Sequence, residues 1–160
     1  METELLQTER LTLTRQTEDE ARAMVEAMPP SDRAEISADW LAGLNKSGSV
    51  DPWILGFTIS ERLSGKVVGQ CGFKGPPALG RVVEIAYGIA PEYRGCGYAT
   101  EATRALVAFA FRTGQIEIVR AHTQPNQNAS VRVLTKCGFK HLGEVIEPDD
   151  GLVWRWETNR

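Results

Sequence analysis

The chain lacks any apolar run near the roughly 18–20 residues that span a bilayer as a helix, so no membrane partner is expected. Chemistry-bearing soft ligands are scarce: three cysteines, Cys71, Cys96 and Cys137, and two histidines, His122 and His141. Thiols odd in number and widely spaced fit reduced cysteines better than a disulfide frame. No zinc or iron ligand spacing can be assembled from this set, so no metal is expected. Charge of one sign is also missing. Eighteen Lys and Arg stand scattered against 21 Asp and Glu, a net charge of −3, and without a basic stripe nucleic acid is not an expected partner. The stretch METELLQTERLTLTRQ is acidic and polar where a secretory signal would be basic and then apolar, which points to a cytoplasmic protein. Two nucleotide signatures are absent as well: the Gly-Lys-Ser/Thr of a Walker loop and the dinucleotide fingerprint G-x-G-x-x-G.

What is present reads as one ordinary globular domain over residues 1–160, with 42% hydrophobic and 24% charged residues. RLTLTR (10–15) alternates apolar and polar and predicts a first strand. Thr17 with Glu20 forms a capping box ahead of Ala21, Met24, Val25 and Met28 at helical spacing, and Pro29-Pro30 stops that helix. A second helical stretch, about 32–45, carries Ile36, Trp40, Leu41 and Leu44. Strands are predicted at 52–60, 66–73 and 81–90, then a helix over 98–112 with Ala99, Ala102, Leu106, Phe109 and Ala110 as its stripe and Gly114 as its stop. A strand at 116–123, a helix at 129–137, and strands at 139–146 and 152–156 complete the series. Antiparallel strands followed by a strand–helix–strand unit and a closing hairpin imply an α/β or α+β domain on one mixed sheet.

The sharpest local feature is the junction Arg94-Gly95-Cys96-Gly97-Tyr98-Ala99, where a strand runs through glycines straight into a long helix. No Ser, Thr, Asp or Asn stands in the cap position, although a helix start exposes four unpaired N–H groups and a partial positive charge. Glycines that admit a ligand to the backbone, with an arginine alongside, suit a phosphate. The alternative is a flexible turn with an arginine facing water.

These six residues fit the pattern [QR]-x-x-G-x-[GA] and resemble the pyrophosphate loop of the GNAT-type N-acetyltransferases. The segments ERLTLTRQTEDEA, EIAYGIAPEYRGCGYATEATRALVAFAF and NASVRVLTKCGF, in that order, resemble the branch containing the ribosomal-protein alanine and serine N-terminal acetyltransferases, over roughly residues 9–157. The resemblance implies a single domain with a mixed, mostly antiparallel sheet of about six or seven strands, splayed at its centre and flanked by about four helices. It implies acetyl-CoA as acyl donor, with the diphosphate on the amides of Gly95, Cys96, Gly97, Tyr98 and Ala99 beside Arg94. The pantetheine arm would lie between strands 84–90 and 116–123, pairing near Ile89 and Ala90, where an N–H polarises the thioester carbonyl. Asn128 and Ser130 match positions near the thiol. The family's usual asparagine stands three residues before that serine, where this chain has Gln127, so the match at Asn128 is displaced by one. A tyrosine used by many members four residues before the helix-ending glycine is replaced by Leu134.

Acetyl transfer from a thioester to an amine needs a neutral amine above all. A thiol near pKa ~8.5 leaves readily, whereas an ε-amine near ~10.4 is neutral about once in ~2,500 molecules at pH 7 and an α-amine near ~8 in roughly a tenth. Glu84, a carboxylate inside the apolar stretch VVEIAYGI, is the candidate base, with desolvation expected to raise its pKa. The alternative is a carboxylate on a wet strand face. Ser130 is the candidate acid toward the departing thiolate, or else the cap of its helix. His122 and His141 are spare bases. Cys96 reads as a loop residue rather than a nucleophile. Tyr93 and Tyr98 either touch the ligand or pack; Trp154 and Trp156 share a face with Leu152 that is core or substrate wall. The acceptor is a primary amine on a small molecule or protein N-terminus, expected to enter over residues 29–46 and the last hairpin; the 74–80 loop and the turn Glu147-Pro148-Asp149-Asp150 either shape its mouth or face solvent. The same features fit a second class, a non-catalytic acyl-CoA-binding module. Either a monomer or a homodimer is compatible.

Overall fold

Alternating side chains build the first half of the sheet. In the computed structural model, which describes residues 5–33, 53–148 and 150–160, strand β1 (Leu5–Gln7) pairs with β2 (Leu11–Arg15), whose Leu11 and Leu13 are fully buried while Thr12 and Thr14 face outward. Helix α1 (Glu18–Ala27) opens as its capping box predicts, the Thr17 side chain accepting from the Glu20 N–H. A single turn, α2 (Pro30–Arg33), follows, with proline at its first position where the missing N–H is harmless. Strands β3 (Phe57–Glu61), β4 (Val67–Phe73) and β5 (Val82–Ile89) continue the antiparallel run. Then come α3 (Tyr98–Arg112), β6 (Ile118–Thr123), α4 (Ala129–Lys136), β7 (Lys140–Glu147) and β8 (Gly151–Asn159).

The eight strands order as β1-β2-β3-β4-β5-β6-β8-β7. Only β5 and β6 run parallel, and their pairing covers just Val82↔Ile118, Val83↔Val119 and Glu84↔Arg120. Beyond Glu84 the two strands diverge: β5 continues to Ile89 and β6 to Thr123 without partnering each other. The splay implied by the resemblance is therefore present, at the sheet's centre.

One face of the sheet carries the main core. Ala102, Thr103, Leu106, Phe109 and Ala110 form the buried stripe of α3, and Phe109 meets Phe57 and Phe73 with ring centroids 5.8 and 6.0 Å apart. Leu134 and Val131 of α4 join the same cluster. Fully burying each such side chain contributes roughly 1.5–3 kcal/mol. A smaller cluster joins Ala21 of α1 to Ile54 and Leu55.

The element boundaries differ from expectation at identifiable places. β1 is an additional strand, three residues long and too short to show a period. The strand expected at 52–60 begins only at Phe57, because Trp53–Leu55 form a buried turn. The strand expected at 116–123 begins at Ile118. The helix expected over 32–45 falls mostly within residues 34–52, which lie outside the described set. Trp154 and Trp156 do turn to the core side opposite Thr123 and Ala121, but Leu152 is 49% exposed. It lies past the end of β6, whose last residue, Thr123, stands opposite Trp154.

Candidate active site

At the end of β5 the chain makes a 3-10 turn, Pro91–Tyr93, and enters α3 through Gly95 (φ 79°) and Gly97 (φ 83°). Gly97 is the N-cap, in the left-handed region that favours glycine, and offers no side-chain bond. The first intrahelical bond is Glu101 N–H to Gly97 C=O, 3.1 Å. The amides of Tyr98, Ala99 and Thr100 thus stand at the positive end of a 15-residue helix with no intrahelical acceptor. Arg94 lies exposed beside them, its Nε donating to the Ile89 carbonyl at 3.2 Å. Cys96 is exposed, as a loop residue should be.

A second arginine holds this loop from behind. Arg10, at the entry to β2, donates from a terminal guanidinium nitrogen to the Cys96 carbonyl (2.8 Å) and from Nε to Glu101 Oε1 (2.9 Å). Its backbone N–H bonds Glu101 Oε2 at 2.9 Å, and its guanidinium stacks 4.7 Å above the Tyr98 ring. Thr8 Oγ1 also donates to Glu101, and Tyr98 Oη donates to Glu61 Oε2 at 2.5 Å. Tyr98 is therefore a packing and hydrogen-bonding residue of the loop. Sequence reasoning missed Arg10, which lies 86 positions from Cys96 and carries no local signal. A groove of about 1050 Å³ runs along the exposed side of α3 from Gly97 and Arg10 to Arg112 and Lys136; Glu84, Tyr87 and Ser130 do not line it.

Ladder alternation decides which backbone groups face the gap between β5 and β6. The Ala90 N–H donates to Val68 C=O and the Lys74 N–H to Glu84 C=O, 2.8 and 2.9 Å, so even-numbered residues of β5 bond toward β4. The amides of Ile85, Tyr87 and Ile89 point toward β6 and the gap. The Ala90 N–H is taken by the Val68 carbonyl and its own carbonyl accepts from Tyr93 N–H at 2.9 Å, which leaves the Ile89 amide as the gap-facing group of the pair.

Glu84 lies on the sheet face opposite α3 and α4, inside a charged network. Its Oε2 is 3.0 Å from His122 Nδ1 and 3.1 Å from Lys74 Nζ. Lys74 also reaches Asp150 Oδ2 (3.2 Å), joining the 74–80 loop to the acidic turn; Asp149 is outside the described residues. On the other side of the imidazole, Arg155 Nε donates to His122 Nε2 at 3.1 Å and a terminal nitrogen of Arg155 lies 2.5 Å from Glu147 Oε1. Arginine can only donate, so Nε2 accepts and Nδ1 carries the proton toward Glu84. His122, 4% exposed, thereby has its basic lone pair occupied. The expected upward shift of Glu84 is corrected: burial does push its pKa up, but the His122 hydrogen bond and the Lys74 charge together hold it below the ordinary value. Lys74 is raised in turn, burial being outweighed by Glu84 and Asp150. Both directions describe one ion pair.

On the opposite face, Asn128 is the N-cap of α4. Its Oδ1 accepts from Val131 N–H (3.1 Å) and its Nδ2 donates to Asn126 (3.0 Å). Both polar atoms of its side chain are thus engaged in the turn. This arrangement removes the reading of Ser130 as the cap. Ser130 sits half-buried in the first turn of α4, beside the Tyr87 phenol. Leu134 is fully buried core. His141 stacks on Trp156 at 4.6 Å and belongs to the β7–β8 hairpin. Among the described residues no group of three or more His, Cys, Asp or Glu could hold a metal, and no helix is long and apolar enough to cross a membrane.

Residues 6–140 match the family model described as an acetyltransferase (GNAT) domain. A Bacillus subtilis protein, YkkB, is 32% identical over 109 residues, 68% of this chain. That match spans 60% of YkkB's own length. Spermidine N-acetyltransferase SpeG of Vibrio cholerae superposes with a TM-score of 0.73 over 95% of each chain at 18% identity. The ribosomal L7/L12 alpha-N-protein acetyltransferase RimL, in complex with coenzyme A, superposes with a TM-score of 0.70 over 98% of each at 17% identity.

Proposed function

The chain belongs to the GNAT acetyltransferase family, and from that premise we propose that it transfers an acetyl group directly from acetyl-CoA to a primary amine in a ternary complex. The observation that carries this is the uncapped start of α3, with bare amides beside Arg94, opening directly onto a gap between β5 and β6. In this reading the diphosphate rests on the amides of Gly95 to Ala99, and the pantetheine arm pairs with the gap-facing backbone of Tyr87 and Ile89. The Ile89 amide polarises the thioester carbonyl.

Glu84 takes the proton of the attacking amine from the other face of the sheet, directly or through water. Its carboxylate is ionised at neutral pH, so it is always ready to accept. The acceptor-side network contains Glu84, Glu147, Asp150 and Glu157 against Lys74, Arg120 and Arg155. Among the described residues that is one carboxylate more than the cations, a balance compatible with a cationic amine. SpeG acts on spermidine and RimL on a protein α-amine, as their names state; both acceptor types belong in the test. Freeing an α-amine of its proton at pH 7 costs about 1–1.5 kcal/mol, a polyamine or lysine about 4–5. Three cysteines without a disulfide favour a reducing compartment, and we place the activity in the cytoplasm.

Titration calorimetry with acetyl-CoA, alongside thiol release on a panel of spermidine, an aminoglycoside, free amino acids and peptides with free N-termini, tests the proposal. Saturable binding with thiol release on at least one amine is the expected result. Tight binding without release on any of them would instead make the protein an acyl-CoA-binding module.

A further inference from the structure

The His122 imidazole is buried in a row of charged groups, and three strands besides its own bring one to it. From β5, Glu84 Oε2 lies 3.0 Å from Nδ1. From β7, Glu147 Oε1 lies 3.6 Å from Nε2. From β8, Arg155 Nε donates to the same Nε2 at 3.1 Å, and a second nitrogen of that guanidinium closes on Glu147 at 2.5 Å. Lys74 bridges Glu84 and Asp150 at 3.1 and 3.2 Å. Arg120, two positions back on β6, is closed on Glu157 at 2.7 Å. Two carboxylates thus flank one ring, an arrangement that by itself favours a second proton on the imidazole. The guanidinium opposes this, because it has donors only: its Nε–H fills the Nε2 lone pair while its charge answers Glu147.

Resting on the acetyltransferase reading, in which Glu84 takes the amine's proton, we propose that Arg155 is a positioning residue for that base. Anchored by Glu147, it keeps His122 a neutral ring whose single N–H, on Nδ1, is aimed at Glu84. A neutral donor orients the carboxylate without cancelling its charge. An imidazolium in the same place would tie Glu84 into a further ion pair, and a carboxylate so paired is a weaker base. The proton leaving the amine therefore stops on Glu84, and His122 gains none. Arg155, Glu147 and Asp150 all belong to the β7–β8 hairpin and its turn. The hairpin thus acts on the base through both of its partners, His122 and Lys74.

Arg155→Met removes the donor and leaves Glu147 beside Nε2, and two measurements on the full chain read the consequence. Long-range proton–nitrogen correlation spectra of isotope-labelled protein report which ring nitrogens carry protons. The chain has two histidines, and His122→Phe identifies which signals belong to the buried one. At neutral pH, wild type should carry a proton on Nδ1 alone, and Arg155→Met should carry one on each nitrogen. A proton on Nε2 in wild type, or an unchanged ring in Arg155→Met, overturns the assignment to Arg155 whatever the activity. With the fastest amine of the panel, kcat/KM of Arg155→Met should fall about tenfold at neutral pH, and the deficit should shrink as rising pH strips Nε2. A loss that rising pH does not repair would mark a structural role instead and overturn the proposal. Arg155→Met/Glu147→Gln leaves no unpaired carboxylate, which keeps the test readable if the single variant fails to fold. It should return the ring to one proton and kcat/KM to near the wild-type value; a ring still doubly protonated overturns the proposal. Failure of wild type to acetylate any amine overturns the transferase reading and the base with it, while the spectra still decide what Arg155 does to the ring.

Discussion

At Glu84 two opposing effects meet in one carboxyl group: burial pushes its proton affinity up, while His122 and Lys74 pull it down further. A depressed folded pKa contributes stability above the unfolded value near ~4.3, and that contribution is lost as pH falls through the folded value. Glu84→Gln should therefore destabilise the protein at pH 7 by on the order of 1 kcal/mol after allowance for partial exposure, with the difference from wild type vanishing at acid pH in denaturant melts. Its kcat/KM should fall about a hundredfold, and a wild-type value would remove Glu84 as the base. His122→Phe takes away the carboxylate's hydrogen-bond donor and leaves Lys74, so the acid limb of the wild-type pH–rate profile should move upward. The identity of Glu84 as a misplaced carboxylate was legible in VVEIAYGI, but the direction of its shift was not. Its partners come from the 74–80 loop and β6, and burial alone, visible in sequence, gives the wrong sign.

The elements around the loop combine local rules with one distant contact. The glycine-rich entry to α3 was readable because a cap residue is missing and glycine stands where φ is positive. Any side chain at Gly97 meets two obstacles, a left-handed φ of 83° and an arginine nitrogen 3.2 Å from the new Cβ. Gly97→Ala should cost about 1–2 kcal/mol of stability and weaken acetyl-CoA binding in calorimetry; full affinity would count against the phosphate loop. Arg10→Met should leave the sheet intact yet release Cys96, Tyr98 and Glu101 from their common anchor, raising KM for acetyl-CoA severalfold with kcat kept. Asn128→Ala should cost about 1 kcal/mol in thermal melts, the usual loss for an N-cap, whereas Ser130→Ala should leave the melt unchanged. The sequence left the capping role open between function and structure at Ser130 because two polar residues flank the start of α4. Only the geometry, with Asn128 Oδ1 on the Val131 amide, separates them.

Across the whole molecule, the sheet is opened at its centre, with the glycine-rich start of α3 following β5 and the Glu84 network on the face opposite α3 and α4. Strands with strong alternation, such as β2 with Leu11 and Leu13, were legible because one buried face imposes a period of two. Trp53–Leu55 was misread as strand because a buried turn is also an apolar run. The opening itself leaves no mark in composition; it follows from β5 and β6 sharing three pairs and no more. A crystal structure of the acetyl-CoA complex tests this account most directly. The account predicts diphosphate oxygens within hydrogen-bonding distance of the Gly95–Ala99 amides and the sulfur lodged between β5 and β6. Coenzyme bound away from the start of α3, with the gap filled only by water, would contradict it.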